Sequence, residues 1–475
     1  MSVKKLAKRI VSIATAATLS VGMIGVTPVS AQEGLDEDTL AFVDAMGAGW
    51  NLGNTFDAVG SWLSGTDTET AWQKYKTTQA MITAVHDAGF ETIRIPVSWA
   101  QHVDTNYKVD SAYMARVKEV VDYAYNEGMF VILNIHHDNT YVYREFPNKA
   151  NGMGFFPDNE HKESSTKYLK AVWSQISETF KDYDDSLIFE TLNEPRLEGT
   201  YLEWNSPAWS SDSYLLESAN VINYFNQEIV NTIRESGGEN ATRYIMCPGY
   251  GAQWSAPLHS SYVLPTDPIS TNSHKIMVST HAYEPYEFCL TTNTSTFDDA
   301  GKTKISDEIF KPLYEKFVKN GTAVVMGECG ATFKNNQSDC DAWASYYFGV
   351  AEEYDIPAVL WDNNVRVNPD NPAECHQHLD RSNCTFVDPT FIEAIMDTIE
   401  QDVEPDPDPS ERVPGDVDDD NDVDIDDVLL IQQHIAQWGV DINLENADVN
   451  GDGDVNIDDV LLIQQYIAGW GVKLV

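Results

Sequence analysis

The chain has 475 residues, 42% of them hydrophobic, with 30 basic against 75 acidic side chains and a formal net charge of -45. That length suffices for one large domain with a sizeable core plus a small one. The charge excludes nucleic acid, anionic lipid surfaces and acidic polysaccharides as partners, because long-range repulsion slows their approach; neutral substrates and cations remain.

Lys4, Lys5, Lys8 and Arg9 precede an apolar stretch from Ile10 to about Val29, and Val29-Ser30-Ala31 is a small-residue cleavage signal. Residues 1–31 therefore read as a secretory signal peptide rather than a membrane anchor, which places the mature protein outside the cell. No later stretch is long and apolar enough to cross a bilayer. Export permits disulfides, and among the six cysteines Cys375 and Cys384 are spaced to close a small loop. Cys247 and Cys329 lie in strand-like runs and read as buried thiols.

Eight apolar runs follow: Met46–Leu52, Thr92–Val97, Phe130–Ile135, Leu187–Leu192, Tyr244–Cys247, Ile276–Thr280, Ala323–Met326 and Ala358–Trp361. Segments of helical periodicity, such as 113–124 and 168–180, separate them. Strand–helix alternation repeated eight times predicts a (β/α)8 barrel over residues 32–400 in preference to an open doubly wound sheet. Two of the runs end in an acid at a strand terminus. One is Thr191-Leu-Asn-Glu-Pro195, with Glu194; the other is Val324-Val-Met-Gly-Glu-Cys-Gly330, with Glu328. They end the fourth and seventh strands, positions that can face each other across a barrel mouth. Paired carboxylates there are what glycosidic hydrolysis requires. Arg94, alternating with apolar residues, points into a pocket and wants a carboxylate. An Arg beside one Glu holds it ionised, and a desolvated Glu without such a partner keeps its proton. His136 and His137 end the third strand, and metal binding by them lacks a third ligand at a suitable spacing. His281 and Tyr283 share one side of the sixth strand's end. Trp361 offers a face for a sugar ring.

Pro and acid alternate at residues 404–409, so 401–413 reads as an extended linker. Beyond it Asp416–Val440 and Asp448–Val472 match at 19 of 25 positions, a duplicated unit. Each copy opens with an EF-hand-like loop. Asp416, Asp418, Asp420 and Asp427 stand at positions 1, 3, 5 and 12 of the first, with Asn421 at the turn. Asp448, Asn450, Asp452 and Asp459 stand there in the second, with Gly453 at the turn. Alternating oxygen ligands closed by a last carboxylate suit Ca2+, one ion per loop. Each loop runs into an amphipathic helix, 428–436 and 460–468.

Residues 414–475 resemble a type I dockerin, the calcium-dependent module that plugs an enzyme into a cohesin on a cellulosome scaffold. The resemblance implies a cohesin partner and two structural Ca2+ ions. In that family loop positions 10 and 11 help choose the cohesin; here they are Ile425-Asp426 and Ile457-Asp458, not the common Ser-Thr pair. Arg94, His136, Asn193, Glu194, His281, Tyr283, Glu328 and Trp361 reproduce in order the signature of glycoside hydrolase family 5, and Gly49–Asp57 resembles its subfamily 4. The resemblance implies a secreted, retaining endo-β-1,4-glucanase acting on cellulose or related β-glucans without a catalytic cofactor. Xyloglucan, lichenan, mannan and xylan are alternative substrates, and an inert carbohydrate-binding barrel is the non-enzymatic alternative. It further implies Glu194 as acid/base, Glu328 as nucleophile and Asn193 on the 2-hydroxyl. Tyr283 and Arg94 would support Glu328, and His281 would assist Glu194. His137, Asn54 and Asp57 would line the glycone side. Trp62, Trp204, Trp209 and Trp254 are candidate sugar platforms, with loop packing as the other reading.

Overall fold

The first and last of eight short parallel strands pair with each other, so the sheet closes on itself. A computed structural model describes residues 34–60, 65–139, 154–269, 274–368 and 371–399 of a first compact unit; of a second it describes 400 and 414–474 except 419–422, 424, 437, 441, 469 and 471. The expected leader and linker, Trp62, Asp420 and Asn421 lie outside the described residues.

The strands are β1 (Gly49–Leu52), β2 (Thr92–Ile95), β3 (Phe130–Asn134), β4 (Leu187–Glu190), β5 (Ile245–Gln253), β6 (Ile276–His281), β7 (Val324–Cys329) and β8 (Ala358–Asp362). Every residue of β1, β2, β3, β4, β6 and β7 is buried. Helices cover the outer face and side chains fill the inner one, which is why these segments read as continuous apolar runs. In register, Asn51 stands beside Arg94 and Trp361.

Several helices between the strands begin where the sequence supplies a cap. Asp110 accepts from the backbone N–H groups of Ala112 and Tyr113 at the start of Ser111–Glu127, and Asp212 does the same for Ser213–Glu235. Each such cap contributes about 1 kcal/mol. Helix Ser111–Glu127 buries Tyr113, Val117, Val120, Val121 and Ala124, the stripe that the 3.6-residue period predicts.

Three expectations shift. Met46 closes helix Glu37–Met46, which Asp36 caps at Thr39, so β1 starts at Gly49 rather than Met46. β5 runs on to Gln253 through a register shift after Pro248, well past Cys247. The proposed Cys375–Cys384 bridge is absent; both are free thiols, Cys375 buried and Cys384 half-buried.

In the second unit, helices Ile425–Ile435 and Ile457–Ile467 pack through a small core of Val417, Val428, Ile431, Ala447, Val449, Val460 and Ile463. No helix among the described residues is long and apolar enough to cross a membrane.

Candidate active site

The C-terminal ends of the strands hold a buried charge cluster centred on Arg94 of β2. Its guanidinium donates to four side chains. Nη1 reaches Glu328 Oε1 at 2.8 Å and Asn51 Oδ1 at 2.9 Å; Nη2 reaches Asn193 Oδ1 at 2.7 Å and Glu190 Oε2 at 2.7 Å. Nε adds a second bond to Glu190 Oε2 at 2.8 Å. Burial works against the guanidinium charge, but the charges of Glu190 and Glu328 outweigh it and raise its pKa. Such a group stays buried only because every donor is satisfied.

Glu328, from β7, also accepts from the Tyr283 hydroxyl at 2.9 Å. His281, the last residue of β6, sets Nδ1 3.0 Å from Glu194 Oε1 and 3.7 Å from Glu328 Oε2. Glu194, His281 and Glu328 each present one atom, all within 4.8 Å of one another. Burial lowers the His281 pKa, yet Glu328, Glu190 and Glu194 together push it up to about 9. Burial raises the Glu194 carboxyl, but its bond to His281 and the charges of His281, Arg196 and His137 leave it lowered. The structure thus departs from one expectation. Glu194 is not a desolvated acid without a cationic neighbour, because both His281 and Arg196 lie beside its carboxyl.

His136 and Trp361 stack in parallel at 6.0 Å, and His137 meets His136 edge-on at 4.4 Å. Gly53 makes room for Trp361: a Cβ there would lie 2.7 Å from the indole. Asp57 accepts from the backbone N–H groups of Asn54 and Thr55 at 3.0 and 2.6 Å, with its pKa raised to about 6 by burial against those bonds. Asp57, His136 and His137 converge closely enough to hold an ion. The donor chemistry argues against one. The Asn134 amide NH2 faces His136 Nδ1 at 3.2 Å while Asn134 Oδ1 accepts from Val97 N–H. Nδ1 therefore accepts, Nε2 carries the hydrogen, and that nitrogen is a donor rather than a ligand.

All the barrel site residues named from sequence except Trp62 lie among the described residues, and the eight signature side chains meet at one end of the barrel. Trp209 and Trp254 lie 6.3 Å apart, Arg196 lies over Trp204, and Trp204 and Trp209 are exposed. Sequence reasoning missed Glu190, Asn51, Asn134 and Arg196. Glu190 was counted within an apolar run; its signal was an ionisable side chain inside a barrel strand, four residues before Glu194. Arg196 Nη1 lies 3.8 Å from Glu194 Oε2 and donates to the Glu194 carbonyl at 3.0 Å.

In the second unit, Asp416, Asp418 and Asp427 bring carboxylate oxygens within 4.8 Å of one another. In the second loop Asp448 accepts from the N–H groups of Gly451, Asp452 and Gly453, and Asp459 accepts from Val449, Asn450 and Asn456. Gly453 takes φ +92, the left-handed conformation the sharp turn needs. Asp427 and Asp459 are buried. This all-oxygen donor set fits a hard divalent cation.

Paired carboxylates at the C-terminal end of a parallel barrel, one tied to a His and the other to an Arg and a Tyr, define a glycoside hydrolase. Residues 56–366 match the family model for cellulase (glycosyl hydrolase family 5), and residues 414–468 match that for the dockerin type I domain. The chain belongs to glycoside hydrolase family 5 and carries a type I dockerin. It is 38% identical to endoglucanase A of Clostridium longisporum, over 78% of this chain and 68% of that one. It is also 38% identical to the cellulase/esterase CelE of Acetivibrio thermocellus, over 76% of this chain but only 40% of that protein's length. Among solved structures, a GH5-4 broad specificity endoglucanase from Ruminococcus champanellensis with bound cellotriose superposes with a TM-score of 0.67. Its identity is 38%, and the match covers 75% of this chain and 97% of that one.

Proposed function

We propose that the barrel is a retaining endo-β-1,4-glucanase in which Glu328 is the nucleophile and Glu194 the acid/base. The observation that carries this is the close pairing of the two carboxylates around His281, with one oxygen of each within 4.8 Å of the other, too close for the wider inverting spacing. Retaining enzymes set their carboxyl groups about 5–5.5 Å apart, inverting ones about 6.5–9.5 Å. Glu328 attacks the anomeric carbon while the leaving oxygen takes a proton from Glu194. Arg94 and Tyr283 hold Glu328 in an orientation to attack and stabilise its charge when it departs. Glu194 then activates water, which displaces Glu328 with the β configuration kept. Asn193 Oδ1 is bonded to Arg94, which fixes its amide NH2 as the donor for the 2-hydroxyl. Trp361 stacks under the sugar beside the scissile bond, and His136, His137, Asn54 and Asp57 serve the glycone side. The names of the matched relatives support β-glucan as substrate, and the neutral polymer suits the charge of -45.

The two loops of the second unit hold one Ca2+ each. Bound calcium neutralises the loop carboxylates and orders the helices that dock on a cohesin, which keeps the secreted enzyme at its scaffold and polymer. Initial rates on carboxymethyl cellulose, lichenan, xyloglucan, mannan and xylan test the substrate. Fastest hydrolysis of mannan or xylan, with no cleavage of the glucans, would overturn it.

A further inference from the structure

Glu190 takes no part in that scheme, yet few groups in the barrel are held as firmly. Its Oε1 accepts from Ser279 Oγ at 2.5 Å; its Oε2 accepts from Asn134 Nδ2 at 2.8 Å and from Arg94. Oε1 also faces His281 Nε2 at 3.9 Å. That nitrogen is buried with no hydrogen-bond partner among the described residues. The other nitrogen, Nδ1, holds Glu194. The imidazole thus stands between two carboxylates, one on each nitrogen. β7 carries glycine where they approach: a Cβ at Gly327 would lie 3.1 Å from His281 Nε2 and 3.4 Å from Glu190 Oε1.

We propose that Glu190 is a positioning residue that acts from behind His281 and keeps the His281–Glu194 pair loaded with the proton the leaving sugar takes. This rests on the roles given above to Glu194 and Glu328. The charged and titratable groups around His281 are Glu190, Glu194 and Glu328. Beyond them lie Arg94, which is bonded to Glu190 and Glu328, then His136 and the Tyr283 hydroxyl. Burial raises the Glu190 carboxyl, but the charge of Arg94, then His281 and Ser279, bring it down to about 2, so it stays a fixed anion.

The cycle balances. While Glu328 is ionised, the pair holds one proton and the imidazole is cationic. As the bond from the anomeric carbon to the leaving oxygen breaks and that to Glu328 forms, the proton departs on the leaving oxygen. Glu328 is now an uncharged ester, which removes one of the three anions that held the imidazolium. The neutral ring keeps its remaining N–H on Nε2, toward Glu190, and Glu194 is left as carboxylate. Water then gives hydroxide to the anomeric carbon and its proton to the pair, and Glu328 recovers its electron pair. Glu190 favours both the imidazolium and the Nε2–H tautomer, as a carboxylate behind a catalytic imidazole does.

Glu190→Gln keeps the shape and removes the charge. The test compares pH profiles of kcat/KM on cellotetraose, whose leaving sugar needs a proton, and on 2,4-dinitrophenyl β-cellobioside, whose leaving phenolate does not. The expected result is an alkaline limb on cellotetraose that moves down by about one pH unit or more, with the aryl substrate within about threefold of the native rate. An unmoved limb in a folded variant overturns the proposal. So does an equal loss on both substrates, which would place Glu190 on the nucleophile side through Arg94. If the Gln variant does not fold, Glu190→Asp and Gly327→Ala take its place. Both keep the charge and lengthen its approach to His281, so each should move the limb the same way by less, and no movement in either is a negative result. Glu194→Ala separates the two levels. Loss of the rapid dinitrophenolate burst in that variant would overturn the role of Glu194, whatever Glu190 does.

Discussion

In the barrel, Glu190, Glu194 and Glu328 surround Arg94 and His281, so the cations that neutralise them are part of the chain and arrive with the fold. In the C-terminal unit, Asp416, Asp418 and Asp427 converge in the same way, but from Asp416 onward the sequence has 15 acids, one Lys and no Arg. On the calcium reading proposed above, the neutralising charge there comes from outside. Clustered carboxylates are thus self-contained in one unit and conditional in the other. The catalytic half should be indifferent to calcium, and the docking half should be switched by it.

The harshest way to probe the self-contained half is to remove one of its reacting groups. Glu328→Gln should reduce hydrolysis of every glucan to assay background, because no nucleophile remains. Glu194→Gln should lower kcat on unactivated glucans by about 10²- to 10⁴-fold, the usual contribution of a positioned acid/base. Glu194→Ala in azide should release a β-glycosyl azide, detected by mass spectrometry; an α-configured product would contradict the double displacement.

Calcium removal reads the other half. Excess EDTA should abolish capture of the full chain by an immobilised cohesin while reducing-sugar release changes little. A ligand at 1,000 times its Kd stabilises the form that binds it by about 4 kcal/mol, so its loss is large on the scale of so small a unit. Equal sensitivity of both activities to EDTA would mean that the barrel too depends on a metal.

Much of this contrast was legible in the residues. Strand ends with Asn-Glu-Pro and Gly-Glu-Cys-Gly marked the two carboxylates that the fold brings together, and the 32-residue offset marked the duplicated acidic loops. What escaped were the groups whose meaning is tertiary. Glu190 sits inside the run Leu187-Ile-Phe-Glu-Thr-Leu192 and looks like one polar interruption of an apolar strand. Only closure of the barrel brings Arg94 from two strands away and His281 from two strands beyond. Arg196 follows Pro195 in what reads as a loop, and only the fold turns it back over Glu194. Met46 reads as the start of β1 because an apolar residue closing a helix looks like one opening a strand when only Gly47 and Ala48 lie between the two elements.

Proton linkage gives a subtler contrast. His102 and His376 are buried and kept neutral, with pKa values lowered to about 4 and about 3 by burial. A folded pKa below the unfolded value near 6.5 means that the unfolded chain binds the extra proton first. Each therefore costs stability as pH falls below about 6.5, at up to about 1.4 kcal/mol per unit until its folded pKa is reached. His281 has the opposite sign. Raised to about 9, it contributes stability that is complete below about 6.5 and lost as pH rises through about 9. On these three groups the barrel should melt highest near pH 6.5, and His102→Gln should flatten the acid side. An acid limb unchanged in that variant and in His376→Gln would remove both residues from the account.

The smallest effects compare the same device in the two units. Asp110 caps helix Ser111–Glu127 in the barrel, and Asn456 caps Ile457–Ile467 in the dockerin, where Asp459 returns a bond to the Asn456 N–H. Replacing either cap by Ala should cost about 1 kcal/mol. The melting shift should still differ. The entropy of unfolding scales with size, so 1 kcal/mol moves a unit of 60–100 residues by about 4–8 °C and one of 150–250 by about 2–4 °C. The barrel is larger again, and Asp110→Ala should move its transition by about 2 °C or less. Asn456→Ala has a second route to instability, because Asp459, proposed above as a calcium ligand, also completes the cap. Loosening the cap should weaken calcium binding, so the deficit should shrink as calcium is raised. Scanning calorimetry of the full chain at several calcium concentrations would show the second transition moving and the first standing still. A calcium-independent shift would mean that cap and ion site act separately.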